Sequence, residues 1–410
     1  MSFNDTITTI DIGSSKIRTI IGSFDGEKKD KFVVLGIGIA NSTAIRKGNI
    51  LDMEEFKNNI DKSLEEAEKM AGQQISHVYL SLNSSSFEVV SNRGIIAISG
   101  DKITQDDVDR VLDMTRSGVE FPNREILKVI PESFSVDLED GVKNPVGMSA
   151  RKLEVIARIF SINTNVLNNI RKSISDVGIE VLDVYPNLLS SPEGVLTRRQ
   201  KELGVVCVDI GSSTTGITVY EEGVLKHSAI IPLGGDNVTN DIALGLRTST
   251  LVAEKLKLEQ SILSTSDNEV KEQNFDLSKL NLGEEGEIDL KYLSQIATAR
   301  YEEIFHYIQN ELKNIGKDGM LPEGAVFVGA GVKTSKFLES AKQNLRLPCF
   351  IGTPKINDEI SDNFINDPSY AAIIGTLILS NRYSVETGGI NFNIGNIFTS
   401  IKNVFKKLLP

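Results

Sequence analysis

A five-residue polar turn occurs twice in this chain. The sequence D-I-G-S-S begins at Asp11 and returns, letter for letter, at Asp209. Glycine lets the backbone approach a ligand closely, and serine hydroxyls with successive N–H groups donate hydrogen bonds to an anion. An aspartate beside a phosphate is repulsive unless a cation lies between them, so the pattern predicts a polyphosphate with Mg²⁺. The metal would be held by Asp11 and Asp209, largely through water.

Strand-like segments flank both copies of the turn. Ile7–Ile10 and Ile17–Ile21 enclose the first, and Val205–Val208 and Ile217–Tyr220 enclose the second. Each copy therefore predicts a β-hairpin, and the pair predicts two equivalent halves that clasp one ligand. A single copy could be an ordinary turn, since Asp, Gly and Ser dominate turns for local reasons. Two copies in matching contexts favour the phosphate interpretation.

A third glycine motif follows later in the chain. The strand-like run Ala325–Val328 leads into Gly329-Ala330-Gly331 and then a predicted helix, Lys336–Asn344. Small residues at the end of a parallel strand leave room for a ribose or a flat ring. The motif is weak in isolation because glycines are frequent at strand–helix junctions. The order hairpin, hairpin, glycine-rich strand end is, however, typical of an actin/Hsp70-like fold.

Composition excludes several classes of protein. The 410 residues carry a net charge of −12, which argues against nucleic-acid binding because phosphate backbones are held by clustered Lys and Arg. No apolar run approaches the roughly 18 residues of a spanning helix, so we expect a cytoplasmic protein. Cys207 and Cys349 lie in apolar runs and are predicted to be buried. The three histidines stand far apart and predict no metal site.

A compact module is predicted inside the first half of the chain. A helical pattern at Asp52–Met70 is followed by a β-β-α-β-β pattern from His77 to about Asn163. Within this module, a strand at Ile126–Ile130 is predicted to end at Pro131, and Ser133–Asn144 is predicted to be rich in turns.

The C-terminal tail has a different character. From Thr387 onward it contains no acidic residue, and its apolar positions recur with helical spacing. The pattern predicts an amphipathic helix on a membrane surface; docking on the body of the protein or in a partner's groove, and a frayed tail, are the alternatives. The predicted membrane-binding residues are Ile397, Phe398, Ile401, Lys402, Val404, Phe405, Lys406, Lys407, Leu408 and Leu409. One such helix binds reversibly, so stable attachment predicts several tails on one self-assembled particle.

Taken together, these residues resemble the bacterial cell-division family FtsA. Thr9–Gly22 and Gly204–Tyr220 resemble its two phosphate motifs, and Val326–Gly331 resembles its adenosine motif. The most specific segments are K-N-P-V-G-M-S, which begins at Lys143, and the tail from Gly395 to Leu409. The likeness runs over nearly the whole chain.

The resemblance implies an α/β, two-lobed actin/Hsp70-like fold with a duplicated core, an inserted small α+β subdomain and a C-terminal amphipathic helix. It implies lobe 1 (1A) at 1–76, 164–200 and 360–382, and a 1C/SHS2-like subdomain at 77–163. Lobe 2 (2A) would occupy 201–235 and 310–359, with subdomain 2B at 236–309, a linker at 383–395 and the membrane-targeting helix at 396–410.

The resemblance also implies function. Members bind ATP with Mg²⁺, polymerise on the cytoplasmic face of the cell membrane at the division septum, tether the C-terminal tail of FtsZ and recruit later divisome proteins. The implied cofactor-binding residues are Asp11, Gly13, Ser14, Ser15, Lys16, Gly211, Ser212, Ser213, Thr214, Glu254, Lys257, Gly329, Ala330 and Gly331. Asp209 and Glu193 are the catalytic candidates. The family usually has Gly-Gly where this chain has Ser212-Ser213, and slow ATP turnover is expected.

Three other functions share parts of this pattern. A sugar or acetate kinase would need a substrate-binding base, for which the sequence offers no candidate. An Hsp70-like chaperone would need a further substrate domain. A PilM-like adaptor of type IV pilus assembly shares the inserted subdomain and is the main alternative.

Overall fold

The computed structural model describes residues 6–24, 32–261, 263, 273–354 and 366–386. Two five-stranded sheets form its core. The first contains β1 (Thr6–Ile12), β2 (Lys16–Phe24), β3 (Phe32–Asn41), β6 (His77–Leu82) and β11 (Glu180–Pro186). The second contains β12 (Val205–Ile210), β13 (Thr215–Glu221), β14 (Val224–Ile231), β17 (Ala325–Val328) and β18 (Cys349–Ile351).

The two sheets have the same topology. In the first, β1 pairs antiparallel with β2 and parallel with β6, whereas β3 and β11 lie at the edges. In the second, β12 pairs antiparallel with β13 and parallel with β17, whereas β14 and β18 lie at the edges. The repeated D-I-G-S-S turn joins β1 to β2 and β12 to β13. The sequence repeat is therefore a structural duplication, and each half forms one lobe.

Each lobe buries its sheet under helices. Lobe 1 carries α1 (Met53–Ala71) and α3 (Thr164–Asp176), and lobe 2 carries α6 (Gly235–Leu246), α7 (Thr250–Glu259), α8 (Leu290–Asn314) and α9 (Phe337–Leu345). Further short elements include β4 (Ile45–Arg46), β5 (Asn49–Ile50), β15 (Asn274–Asp276), β16 (Glu287–Asp289) and α5 (Arg198–Leu203). Helix α1 is capped at its N-terminus by Asp52, whose carboxylate accepts hydrogen bonds from the N–H groups of Glu54 and Glu55. Its buried face includes Phe56, Ile60 and Leu64.

Two helices fill the space between the sheets. Helix α4 (Asn187–Val195) and helix α10 (Ala371–Glu386) pack against each other, and α10 also contacts β1. Gly194 and Gly375 permit this close packing, since a Cβ on Gly375 would lie 1.7 Å from the carbonyl oxygen of Ser190. The backbones of the two helices are therefore in direct contact.

The inserted module is a four-stranded sheet with one helix. Strands β7 (Glu88–Ala97), β10 (Lys152–Asn163), β8 (Arg124–Val136) and β9 (Glu139–Val142) lie in that order, and α2 (Gln105–Ser117) covers one face. Helix α2 begins with a capping box between Thr104 and Asp107. Val108, Val111, Leu153 and Phe134 are among the residues of its separate hydrophobic core.

Two predictions within this region are wrong. The strand His77–Leu82 belongs to the lobe 1 sheet, where it pairs with β1 and β11, so the module begins after Leu82. Strand β8 also continues through Pro131 to Val136 instead of ending at the proline. The pairing with β10 shifts register between Ile156 and Ala157, and a β-bulge of this kind accommodates a residue without an N–H donor.

The predicted tail helix, residues 396–410, lies outside the described residues. None of the helices in the described ranges is long and apolar enough to cross a membrane.

Candidate nucleotide-binding site

The two repeated turns meet at the cleft between the lobes. Each is closed by the same backbone hydrogen bond, from Gly13 N–H to Lys16 O at 3.1 Å and from Gly211 N–H to Thr214 O at 2.9 Å. Across the cleft, Ser14 Oγ lies 2.7 Å from Ser213 Oγ. The two hairpins that the sequence repeat predicted to face each other are thus in contact.

Each turn carries a buried aspartate at its strand end. Burial raises the pKa of Asp11, and the nearby Arg18, Asn187 and Ser81 counteract this shift. Oδ1 of Asp11 is buried and, among the described residues, has no hydrogen-bond partner. Burial likewise raises the pKa of Asp209 to about 6, although a hydrogen bond from Ser191 opposes it and the negative charge of Asp11 adds to it. Two neighbouring carboxylates with raised pKa values are a favourable place for a cation.

Helix α4 positions both aspartates, a role that the sequence analysis missed. Asn187 lies beside Asp11 and accepts a hydrogen bond from Ser81 Oγ at 2.9 Å. One turn further on, Ser191 Oγ donates to Asp209 Oδ2 at 2.6 Å. The spacing of four residues places both side chains on one helix face. The sequence gives only a weak signal of this role, because Ser190 and Glu193 are also polar in the same segment.

The glycine motif in lobe 2 is held against the second aspartate. Gly329 has φ of +90°, and a Cβ there would lie 2.6 Å from Asp209 Oδ1 and 2.3 Å from Ile210 O. Residues Ala330–Lys333 form a short 3₁₀ helix, and α9 begins one residue later than predicted, at Phe337. Only a glycine therefore fits between the strand end and the aspartate. Ala330, in contrast, is exposed.

Lys257 and Glu254 lie together on α7. Lys257 is 4% exposed, and its Nζ donates to Glu254 Oε2 at 2.6 Å and to Gly235 O at 3.2 Å. Gly235 N–H in turn donates to Gly211 O at 2.9 Å, so this pair is connected to the second turn. A Cβ on Gly235 would also lie 3.7 Å from the Cα of Gly331. The structure thus brings together the predicted adenosine and ribose residues.

Tyr301 supports the glycine motif from α8. Its hydroxyl donates to Gly331 O at 2.5 Å and lies 2.9 Å from Thr334 Oγ1, and burial raises the pKa of this tyrosine. A tyrosine in an apolar stripe gives no signal of its partner.

The other predicted residues flank this centre. Ser15 and Lys16 are exposed in the first turn, whereas Thr214 is buried in the second. Partial desolvation of the Lys16 ammonium lowers its pKa, and the positive charges of Arg18 and Lys333 lower it further. Ser212 accepts the N–H of Asp236 at 2.7 Å through its carbonyl oxygen.

Glu193 is held by two cations. Its carboxylate accepts hydrogen bonds from Lys201 and from Arg382 Nη1, the latter at 2.8 Å. Burial raises the pKa of Glu193, but the two cations outweigh it and hold the pKa at about 2. Because both carboxylate oxygens are engaged, this geometry is unfavourable for a residue that must orient a water molecule.

We expect Glu193→Gln to lower the free energy of unfolding at pH 7 by about 2 kcal/mol, because it leaves two partly buried cations without their counter-ion. A carboxylate with a lowered pKa stabilises the fold above its unfolded value of 4.5 and loses that contribution as the pH falls toward about 2. The difference in free energy of unfolding between Glu193→Gln and the unsubstituted chain should therefore shrink as the pH falls from 4.5 toward about 2. Urea titrations at several pH values measure this difference.

Glu202→Gln is the matched control, because Glu202 pairs with Arg198 on the exposed surface of α5. It should change the free energy of unfolding by less than about 1 kcal/mol. Unchanged stability of Glu193→Gln, together with loss of ATP turnover, would contradict the structural role and favour the catalytic one.

Comparison with known proteins identifies the family. The profile described as "Cell division protein FtsA" matches residues 206–375, and "SHS2 domain inserted in FTSA" matches residues 84–161. The chain is 30% identical to the cell division protein FtsA of Pseudomonas aeruginosa over 376 residues, which cover 91% of this chain and 88% of that protein. The chain belongs to the FtsA family.

Relatives in this family extend across distant bacteria. The FtsA protein of Bacillus subtilis is 29% identical over 92% of this chain and 84% of its own length. That of Escherichia coli is 27% identical over 90% of this chain and 89% of its own length. The chain is therefore an actin-like cell-division protein.

Solved structures confirm the fold. The PilM–PilN type IV pilus biogenesis complex superposes with a TM-score of 0.65 at 12% identity, over 92% of this chain and 98% of that one. MreB5 of Spiroplasma citri bound to ADP superposes with a TM-score of 0.54 at 14% identity, over 94% of this chain and all of that one. The predicted two-lobed actin-like fold with a duplicated core and an inserted SHS2 domain is confirmed.

Proposed function

We propose that this FtsA-family chain binds ATP with Mg²⁺ between its lobes and polymerises on the cytoplasmic face of the cell membrane. The proposal that the chain binds nucleotide is supported mainly by the contact between Ser14 and Ser213 of the two turns. Each of these turns begins with a buried aspartate, Asp11 or Asp209. The orphaned Oδ1 of Asp11 and the space at Gly329, which a Cβ would fill, fit a hydrated cation and its nucleotide. Bound Mg²⁺ would neutralise phosphate charge there.

Each part of the chain has a role in this proposal. The two turns, from Asp11 to Lys16 and from Asp209 to Thr214, bind the phosphates from opposite sides. Lys257 and Glu254 bind the ribose or the base, and Gly329–Gly331 packs against the adenosine. With Glu193 engaged by Lys201 and Arg382, turnover is slow. Nucleotide occupancy then acts mainly as a switch that favours closure of the lobes.

The membrane part of the proposal depends on the tail. Residues 397–409 combine large apolar side chains with lysines at helical spacing, and this basic segment is distinctive in a chain whose net charge is −12. We infer that filaments carrying many such tails tether the C-terminal tail of FtsZ to the membrane at the division septum and recruit later divisome proteins. The proposal also includes the division into 1A, 1C, 2A and 2B predicted from the sequence, with the start of the inserted 1C subdomain moved to after Leu82.

A chain ending at residue 394 should lose its sedimentation with vesicles of phosphatidylethanolamine and phosphatidylglycerol in the presence of ATP and Mg²⁺, whereas the full chain should pellet with them. Each buried large apolar side chain contributes roughly 1.5–3 kcal/mol, so removal of the whole apolar face should abolish binding. Electron microscopy of the pellet would show whether filaments cover the vesicles.

Two point variants separate burial from charge. Phe405→Glu and Asn403→Glu add the same charge, but only Phe405 lies on the predicted apolar face. The first should bind vesicles much more weakly than the second. Equal loss in both would indicate simple electrostatic attraction, and a full chain that ignores lipid but binds a membrane protein's peptide would favour a PilM-like adaptor.

A further inference from the structure

A short turn connects the nucleotide cleft to the inserted domain. Strands β4 and β5 are joined by a two-residue turn, and we call residues 46–49 the β4–β5 turn. On one side, Lys47 N–H donates to Ser213 Oγ at 3.0 Å, the hydroxyl that also meets Ser14. On the other side, Lys47 O accepts the N–H of Ser85 at 3.0 Å and the hydroxyl of Ser84 at 3.2 Å. The N–H of Lys47 therefore faces the second phosphate turn, and its carbonyl oxygen faces Ser84 and Ser85.

The contact with Ser84 leaves no free space. Gly48 has φ of +82°, and a Cβ there would lie 2.4 Å from both Cβ and Oγ of Ser84. Lys47 also has a positive φ, of 52°, as the two central residues of a tight hairpin turn require. Since close-packed atoms cannot be compressed, displacement of the turn must displace the segment at Ser84.

The Ser84–Ser86 segment is attached to the sheet of the inserted domain. Ser86 O accepts a hydrogen bond from Arg124 Nη2 at 2.7 Å, and Arg124 Nε donates to Ser161 Oγ at 3.0 Å. Arg124 begins β8, and Ser161 lies in β10. A continuous series of contacts thus runs from the second phosphate turn, through the β4–β5 turn, to the two central strands of the inserted sheet.

The inserted domain also rests on lobe 2. Lys143 Nζ donates to Glu222 O at 2.6 Å, in the turn between β13 and β14. Glu132 Oε1 lies 3.6 Å from Lys226 Nζ on β14, and Glu132 Oε2 lies 2.9 Å from Arg158 Nη2 on β10. Because the domain is fastened to lobe 1 at Ser84–Ser86 and touches lobe 2 here, a change in the lobe spacing must change one of these contacts.

We propose that the β4–β5 turn transmits the occupancy of the terminal-phosphate position to the inserted domain. This rests on the proposed nucleotide site. A phosphate oxygen beside Ser213 is a stronger acceptor than a hydroxyl, since hydrogen bonds to an ionised group are roughly twice as strong as neutral ones. The Lys47 N–H turns toward that oxygen when ATP is bound and returns to Ser213 when the terminal phosphate is absent. The attached Ser84–Ser86 segment moves with it, so the position of the inserted domain depends on whether ATP or ADP is bound.

Hydrogen exchange of the full chain tests this directly. With Mg²⁺ and a non-hydrolysable ATP analogue, amides of residues 84–97 and 152–163 should exchange about threefold more slowly than with Mg²⁺ and ADP. In Gly48→Ala this nucleotide-dependent difference should disappear, while the affinity for ADP, which has no terminal phosphate beside Lys47, stays within about twofold of the unsubstituted chain when measured by titration calorimetry.

Gly72→Ala is the matched control. Gly72 also lies in lobe 1 with a positive φ, of 68°, but a Cβ at this position would have no atom of the described residues within 4 Å. It should keep the nucleotide-dependent difference. Ser84→Ala removes the hydroxyl that donates a hydrogen bond to Lys47 O, so it should reduce the nucleotide-dependent difference in exchange. It serves as the second variant if Gly48→Ala does not fold.

The outcomes separate the two proposals. If the unsubstituted chain binds no nucleotide, the proposed function is wrong. If it binds both nucleotides but the inserted domain exchanges equally in each, or if Gly48→Ala retains the full difference, the relay through the β4–β5 turn is wrong and the proposed site stands.

Discussion

Gly375→Ala should be among the most destabilising single substitutions in this protein. A Cβ at this position would lie 1.7 Å from Ser190 O and 3.0 Å from Gly194 N. Both are backbone atoms of α4, so no rotamer change relieves the clash and the two helices must separate. We expect a loss of free energy of unfolding well above about 3 kcal/mol, the upper end for ordinary overpacking. Urea denaturation followed by circular dichroism measures it.

Gly100→Ala is the corresponding control. The nearest atom to a Cβ at Gly100, Lys102 O, is 3.7 Å away, which is ordinary van der Waals contact. This variant should unfold within about 1 kcal/mol of the unsubstituted chain. Equal midpoints for the two variants would mean that α4 and α10 are not packed backbone to backbone.

The same packing bears on the nucleotide site. Helix α4 carries Asn187 and Ser191, which contact the two repeated aspartates, and α10 holds α4 in place. Any Gly375→Ala protein that still folds should therefore also bind nucleotide more weakly. The closing helix of the fold thus stabilises the lobes and positions the cleft.

Asp209→Asn should separate stability from function. Without nucleotide, the variant should be about 2 kcal/mol more stable than the unsubstituted chain at pH 7.5, while its Mg²⁺-dependent affinity for ATP should fall by at least about 100-fold. Burial raises the pKa of Asp209 to about 6, so its charged form is unfavourable in the folded protein. The neutral amide removes that cost, and its oxygen still accepts the hydrogen bond from Ser191.

The pH dependence follows from the sign of this shift. A carboxyl group whose folded pKa is raised stabilises the fold below its unfolded value of 3.8, and that contribution is lost as the pH rises through about 6. The advantage of Asp209→Asn should therefore be largest at pH 7.5 and nearly absent at pH 4. Thermal unfolding at the two pH values, with calorimetric titration of nucleotide, measures both effects.

Asp101→Asn provides the control, since Asp101 is exposed. It should change neither the stability without nucleotide nor the affinity. If Asp209→Asn destabilises the nucleotide-free protein at pH 7.5, the carboxylate is already stabilised by the protein alone. In that case a bound cation is not needed to explain its position.

The sequence by itself determined the features that depend on local structure. The two D-I-G-S-S turns form as predicted because their closing bond, such as Gly13 N–H to Lys16 O, joins residues three positions apart. Helix α1 was predicted from its spacing, and it begins at Met53, directly after the capping residue Asp52. The duplicated fold followed from the repeat, since equal sequences in equal contexts favour equal hairpins.

Only the tertiary structure decided which distant residues meet. It placed the strand His77–Leu82 in the lobe 1 sheet, gave Glu193 its partner Arg382, and brought Lys47 to Ser213. The same strand pattern is compatible with either sheet, because a buried parallel strand is apolar wherever it pairs. The side chains of Asn187 and Tyr301, and the backbone groups of Lys47, carry no clear local mark of their partners. Their roles arise from long-range packing, which brings together residues that local periodicity does not relate.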